Sequence, residues 1–310
     1  MATHRITFNA MACGCEVVLV ADSSAQARAL AQTAVDEVQR IERTFSRYRS
    51  DSVVSRINAA AGREAIECDA ETNALLDYAD QLFQISGGLF DITSGVLRRA
   101  WDFKQARVPT RDELRPLQRL IGWRRVERWG PHVRLPTEGM EIDFGGFGKE
   151  YAADRAGAAL AAQGVHHGYV NLGGDMRVLG PKQDGQPWLM GIQHPRQMGA
   201  LVASLPVSQG GLATSGDYER FFEINNRRYC HILHPHTGMP VTHWRSVSVL
   251  APLAAMAGSC TTLAMLKGSD GLAFLQGSGL DFLALDFEGR IHTQAGIAAQ
   301  APLTRTAQTV

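Results

Sequence analysis

The 310-residue sequence predicts an α+β fold, and three observations carry that reading. The Ala-rich segment 24–45 places Leu30, Ala34, Val38 and Ile41 at helical spacing, so one face of a helix is apolar. Between 167 and 250 the chain breaks into short β-forming runs separated by Gly, Pro and Asn-Asn turns. The two kinds of segment interleave without the strict strand–helix–strand rhythm of a parallel sheet.

In chain order, strands are predicted at 6–8 and 16–21, then the helix 24–45 with Ser23 or Ser24 as its N-cap. A second helix at 71–85 stops at Gly87-Gly88, residues that suit a helix C-terminus. The stretch 98–116 holds two prolines and several basic residues and predicts short helices and loops. Short strands at 124–127, 133–135 and 141–144 precede a helix at 149–163, flanked by Gly148 and Gly164. Strands follow at 167–172, 175–179, 188–193, 201–205, 218–224, 228–233 and 244–250. Helices at 254–267 and 270–276 and strands at 281–286 and 290–293 complete the chain, read as one domain over 1–310.

Composition excludes some functions and leaves others. Lys plus Arg equals Asp plus Glu at 31 each, so no global field attracts nucleic acid, and a phosphorylated ligand needs local, directed contacts. No run of 18 apolar residues is present, and the opening MATHRITFNAMACGCEVVLV lacks a basic region followed by an apolar core. A cytoplasmic protein with no membrane partner is the expectation. Five cysteines, Cys13, Cys15, Cys68, Cys230 and Cys260, are an odd number without a Cys-x-x-Cys pair and read as reduced thiols.

Polar clusters at the ends of predicted elements are where chemistry concentrates. They are FSRYRSDS (45–52) with SRIN (55–58), GGLFDITSG (87–95), NLGGD (171–175), TSGDYERFF (214–222) and HILHPHTGMP (231–240). The stretch EIDFGGFGKEYAAD (141–154) runs three glycines and a lysine into a helix start. That pattern is either a turn before a helix or a backbone cradle for phosphate. His231, His234 and His236 fall within six residues and could supply imidazoles to a metal; a hydrogen-bonded turn around Pro235 and Gly238 is the plainer reading.

In their order, from Ala10-Met11 to about Gly268, these clusters resemble the FAD:protein FMN transferase (ApbE) family. The resemblance implies an ApbE-like fold of two closely fused lobes with an FAD cleft between them. It also implies transfer of FMN from FAD to a threonine hydroxyl of a partner flavoprotein, with release of AMP. Met11, Tyr48, Leu89, Phe90 and Asp91 are then expected at the flavin site. Asp143 and Lys149 would contact FAD in the family's Asp-x-Gly-Gly-x-x-Lys signature, with Asp175, Ser215, His231 and Ile232 walling the cleft. Lys149 and Thr262 would serve catalysis, and the carbonyl of Gly146 and Thr262 would hold Mg2+.

Two positions depart from the family's pattern. Its closing signature, Ala-Asp-Ala-x-x-Thr, corresponds to AGSCTT at 257–262. The metal-binding Asp falls on Gly258, the second polar position on Thr261, and Thr262 alone is retained. Magnesium prefers carboxylate oxygen, so a weakened site is expected, with activity that needs high magnesium and that Gly258→Asp raises. His234 stands in place of the Asp of the family's Asp-Pro turn and is expected, like His236, to be structural. Two other readings accompany the transferase: an FAD-binding protein without turnover, and a protein redirected to flavin or metal redox chemistry.

Overall fold

The computed structural model, which describes residues 1–294, is built on an eight-stranded sheet in which every neighbouring pair is antiparallel. The chain opens with a hairpin of β1 (Ala2–Ala10) and β2 (Cys13–Ala21). Its two-residue turn puts Met11 and Ala12 at φ 51° and 59°, the left-handed pair that the twist of a tight hairpin favours. Helix α1 (Ser24–Phe45) follows, capped by the Ser23 side chain on the Gln26 N–H, then α2 (Val53–Ala59), β3 (Ile66–Glu67) and α3 (Ala70–Ile85). The 92–126 region supplies a 3-10 helix (Ile92–Arg99), α4 (Arg111–Gln118) with a Thr110–Glu113 capping box, and a 3-10 turn (Trp123–Arg125).

Strands β4 (Glu127–Trp129) and β5 (His132–Arg134) join β3 in a small sheet. Helix α5 (Gly148–Ala162) leads into β6 (Gly168–Leu172) and β7 (Asp175–Gly180), the hairpin of β8 (Trp188–Gln193) and β9 (Leu201–Val207), and β10 (Gly210–Gly216). A second hairpin, β11 (Phe221–Ile224) and β12 (Arg227–Cys230), precedes β13 (Trp244–Ala251), α6 (Ala254–Lys267), α7 (Gly271–Gly277), β14 (Asp281–Asp286) and β15 (Ile291–Thr293). The main sheet runs β1-β2-β6-β7-β10-β13-β14-β15.

Strand alternation divides the core into two layers. Val17 and Leu19 face helices α1, α3 and α5, whereas Val18, one residue out of phase, joins Val178, Leu212, Leu283 and the β8–β9 hairpin on the opposite face. Ala213, Val247, Val249, Phe282 and Ala284 continue the helix-covered face beneath α6.

Several predicted elements shift. The strand expected at 141–144 is absent: Ile142 pairs by both its N–H and its carbonyl with the side-chain amide of Asn58, at 2.7 and 3.0 Å, and Asp143 N–H reaches the Ile92 carbonyl at 2.9 Å. The strand expected at 124–127 forms later, as β4, because the Trp123–Arg125 turn occupies its start. The run at 218–224 is a strand only over β11, and 228–233 only over β12. The polar cluster SRIN lies within α2, a helix that the sequence pattern does not predict. Strand β10 forms where no strand was expected, between 205 and 218. A Cβ at Gly210 would lie 2.6 Å from the Ala251 carbonyl and one at Gly211 2.1 Å from the Ala254 nitrogen, so this strand fits only without side chains there.

Helix α6 starts at Leu253 with no capping side chain of its own. Asp154, on α5, accepts the N–H groups of Ala254 and Ala255, each at 2.9 Å, and so caps a helix a hundred residues away. Asp154→Ala should cost about 1–2 kcal/mol, measured by urea unfolding, with Asp154→Asn intermediate because an amide oxygen replaces only part of the cap. An unchanged midpoint in Asp154→Ala would contradict this assignment.

Candidate functional site

The turns and strand ends at one end of the sheet bring the predicted site residues together. The β6–β7 turn meets the start of β2 through the Gly173 N–H on the Gly14 carbonyl at 3.1 Å. A Cβ at Gly173 would lie 2.9 Å from that of Cys13 and 3.6 Å from Lys149 Nζ, so this corner closes only around a glycine. Lys149 Nζ pairs with Asp175 Oδ2 at 2.7 Å, and Asp175 Oδ1 accepts the Thr214 N–H at 3.2 Å. Ser215, next along β10, hydrogen-bonds Thr261 at 2.8 Å and Thr262 at 3.4 Å. Four predicted positions, Lys149, Asp175, Ser215 and Thr262, thus share one corner with the strand β10 that sequence reading missed.

Electrostatics there is tightly coupled. Burial pulls the Lys149 ammonium toward neutrality, but Asp175 and Glu150 outweigh it and hold the lysine charged to well above its ordinary range. Cys13 and Cys15 lie 3.6 Å apart at sulfur; the Cys15 thiol, and further along Lys149, bring Cys13 down to about 7 while burial works the other way. Glu150 is 9% exposed, has no partner for Oε2, and is pushed well above the usual carboxylate range by burial and by Asp175. The sequence reading missed Glu150, because one acid in a helix's first turn is ordinary composition.

The glycine loop before α5 has its own scaffold. Asp143 takes Arg98 at 2.8 Å, Arg47 at 3.3 Å and the Gly145 N–H at 2.9 Å. A Cβ at Gly146 would stand 2.7 Å from the ring of Phe90, so Phe90 lies buried directly beneath the loop. The glycine is required by that packing, whatever approaches from the other side. Helix α5 begins after Phe147 with no side-chain cap; the Phe147 and Gly148 N–H groups turn back to the Phe144 carbonyl at 3.0 and 2.7 Å, which leaves those of Lys149 and Glu150 for an anion.

Tyr48 is 78% exposed and meets Arg98 at 3.5 Å, which links it to Asp143. Met11 is anchored by its N–H on Glu42 at 2.8 Å and packs, partly buried, against the main core together with Leu89 and Ile232. The Asp91 carboxylate is engaged by the fold: it accepts the N–H groups of Thr93 and Trp123 at 2.8 and 3.0 Å and the Thr93 hydroxyl at 2.5 Å. The Asp91 side chain is therefore committed to the fold, whereas Leu89 is only partly buried.

The three histidines do not act alike. His234 closes its turn: its N–H reaches the Met239 carbonyl at 2.9 Å, its carbonyl accepts Gly238 N–H at 2.8 Å, and its Nδ1 accepts His236 N–H at 3.3 Å. The imidazole thereby orders the turn as an Asx side chain would. His231 Nδ1 is covered and has no partner, and burial with nearby Arg220, Arg98 and Lys149 lowers its pKa to about 4, so the ring is neutral.

Residues 11–284 match the ApbE family. The FAD:protein FMN transferase of Treponema pallidum (strain Nichols) is 34% identical over 283 residues, covering 84% of this chain and 78% of that protein. That of Vibrio cholerae serotype O1 is 29% identical over 262 residues, 82% of this chain and 78% of the other. Among solved structures, the ApbE protein of Thermotoga maritima aligns with a TM-score of 0.87 at 30% identity over 95% of this chain and 97% of its own. The apo form of the Pseudomonas stutzeri flavinyl transferase ApbE gives 0.82 at 28% identity over 95% of each. Coverage of this extent, in sequence and in fold, means that the chain belongs to the ApbE family.

Proposed function

We propose that this protein is an FAD:protein FMN transferase. One observation carries the reading beyond family membership. The charged Lys149 ammonium is fixed by Asp175 beside the uncapped N-terminus of α5, where the Lys149 and Glu150 N–H groups have no partner among the described residues. A diphosphate needs that combination of fixed positive charge and free N–H groups. The flavin would lie toward Met11, Leu89 and the exposed Tyr48. Binding without turnover, or redirected redox chemistry, draws no support from relatives that are themselves FMN transferases.

In the reaction a threonine oxygen of the acceptor forms a bond to the FMN phosphorus as the anhydride P–O bond breaks, and AMP leaves with the bridging oxygen. Lys149 and the α5 N–H groups offset charge on the phosphate oxygens. The unpartnered Nδ1 of the neutral His231 ring takes the threonine's proton; with a pKa of about 4 it is a weak base until the phosphate charge lies beside it. A magnesium ion, when bound, would neutralise further phosphate charge and help orient the leaving group. The Gly146 carbonyl and Thr262 are hard oxygen donors suited to it.

Lys149→Ala should weaken FAD binding by about 10- to 100-fold, the size expected for loss of a charged hydrogen bond. Titration by flavin fluorescence reads this, and AMP release measured by chromatography should fall with it; equal affinity in the variant would contradict the assignment.

His231 also predicts a pH effect. The unfolded imidazole protonates near 6.5 and the folded one only near about 4, so stability present above pH 6.5 is lost as pH falls toward 4. The loss is worth about 3 kcal/mol at most. His231→Gln should remove that part of the acid slope in urea unfolding; an unchanged slope would show that His231 is not held neutral.

A further inference from the structure

Glu150 lies where the sequence pattern has lost a carboxylate. It leaves the first turn of α5 and crosses to α6: a Cβ built on Gly258 would sit 2.5 Å from Glu150 Oε1, 2.6 Å from its Cγ and 2.7 Å from its Cδ. The Glu150 carboxyl therefore fills the volume that any side chain at 258 would enter. One turn further along α6 are Thr261, whose hydroxyl donates to the Gly258 carbonyl at 2.8 Å, and Thr262, both bonded to Ser215. Among the described residues no basic side chain bonds to Glu150. Lys149 is paired with Asp175, and Glu150 Oε2 is buried without a hydrogen-bond partner.

A buried carboxylate with an orphaned oxygen calls for a cation or a proton. We propose that Glu150 is a direct carboxylate ligand to a divalent cation, delivered from α5 in place of the one that family resemblance assigns to position 258. The proposal rests on the transferase reading, in which a hard cation sits beside the FAD diphosphate. The Thr262 hydroxyl and the Gly146 carbonyl, which the family resemblance assigns to the metal, are oxygens of the kind such a cation takes. Among the described residues no group of three or more His, Cys, Asp or Glu side chains forms a metal cluster. A site of one carboxylate with hydroxyl and carbonyl oxygens has a different make-up.

The geometry reverses the expectation drawn from sequence for Gly258→Asp. That single change drives a second carboxylate into the first, so it should weaken metal binding rather than strengthen it. Moving the carboxylate, in the double variant Glu150→Gly with Gly258→Asp, should restore it.

The test is Mn2+ titration of the full-length protein, read by the paramagnetic resonance of the free ion, with circular dichroism to confirm folding. FAD binding is measured separately in EDTA. Glu150→Gln keeps the shape and removes the charge; it should lose about tenfold or more in Mn2+ affinity, at least the effect of removing an outer-shell partner. The double variant should return to within about threefold of wild type. Equal Mn2+ affinity in wild type and Glu150→Gln would make Glu150 a neutral space-filler and overturn the proposal, as would wild type that binds no Mn2+ at all. Failure of wild type to bind FAD would instead overturn the transferase reading. If Glu150→Gln does not fold, the double variant decides alone: affinity near wild type supports the relocated ligand, and its loss refutes it.

Discussion

The 2.7 Å ion pair between Lys149 and Asp175 joins the start of helix α5 to the β6–β7 turn, and the rest of the site is arranged around it. Asp175 also accepts the Thr214 N–H, which brings the end of β10 and its Ser215 into the same corner. Five residues after the lysine, Asp154 caps α6 and so fixes the helix that carries Thr261 and Thr262. The residue next to the lysine, Glu150, fills the gap over Gly258. Little more than one turn of one helix therefore sets the positions of the sheet, of α6 and of the loop between residues 143 and 148.

Charge in this corner is balanced locally, which agrees with a chain whose formal charge is zero. Asp143 is held between Arg98 and Arg47, Glu141 pairs with Arg47 at 2.9 Å, and Arg98 reaches the exposed Tyr48. An incoming diphosphate would meet guanidinium and ammonium groups already oriented by carboxylates, so little reorganisation is required on binding. The price of that order is a set of buried groups held away from their ordinary protonation, His231 and Glu150 among them.

Much of this was legible in the sequence, for physical reasons. Helix α1 announces itself by apolar spacing and by Ser23, which caps it as expected. The turn at His234 was readable because Pro235 and Gly238 permit little else, and the imidazole supports it through the His236 N–H. Strand β10 was hidden because Gly210 and Gly211 signal a turn locally, whereas they are required by contact with Ala251 and Ala254, forty residues on. The segment 141–144 looks like a strand, yet its pairing partner is the side chain of Asn58. Asp154 and Glu150 are unremarkable acids on a helix until α6 is placed beside them. Local rules find what a segment does for itself; caps and ligands donated between helices appear only with the fold.

The central claim is that the N-terminus of α5 receives the diphosphate of FAD. A crystal structure of the protein soaked with FAD and Mg2+ tests it most directly. The account predicts the diphosphate against residues 145–149 with Lys149 in contact, and the isoalloxazine ring between Met11 and Tyr48. FAD seated elsewhere, for example in the arginine-lined hollow of Arg196, Arg228 and Arg245, would contradict it.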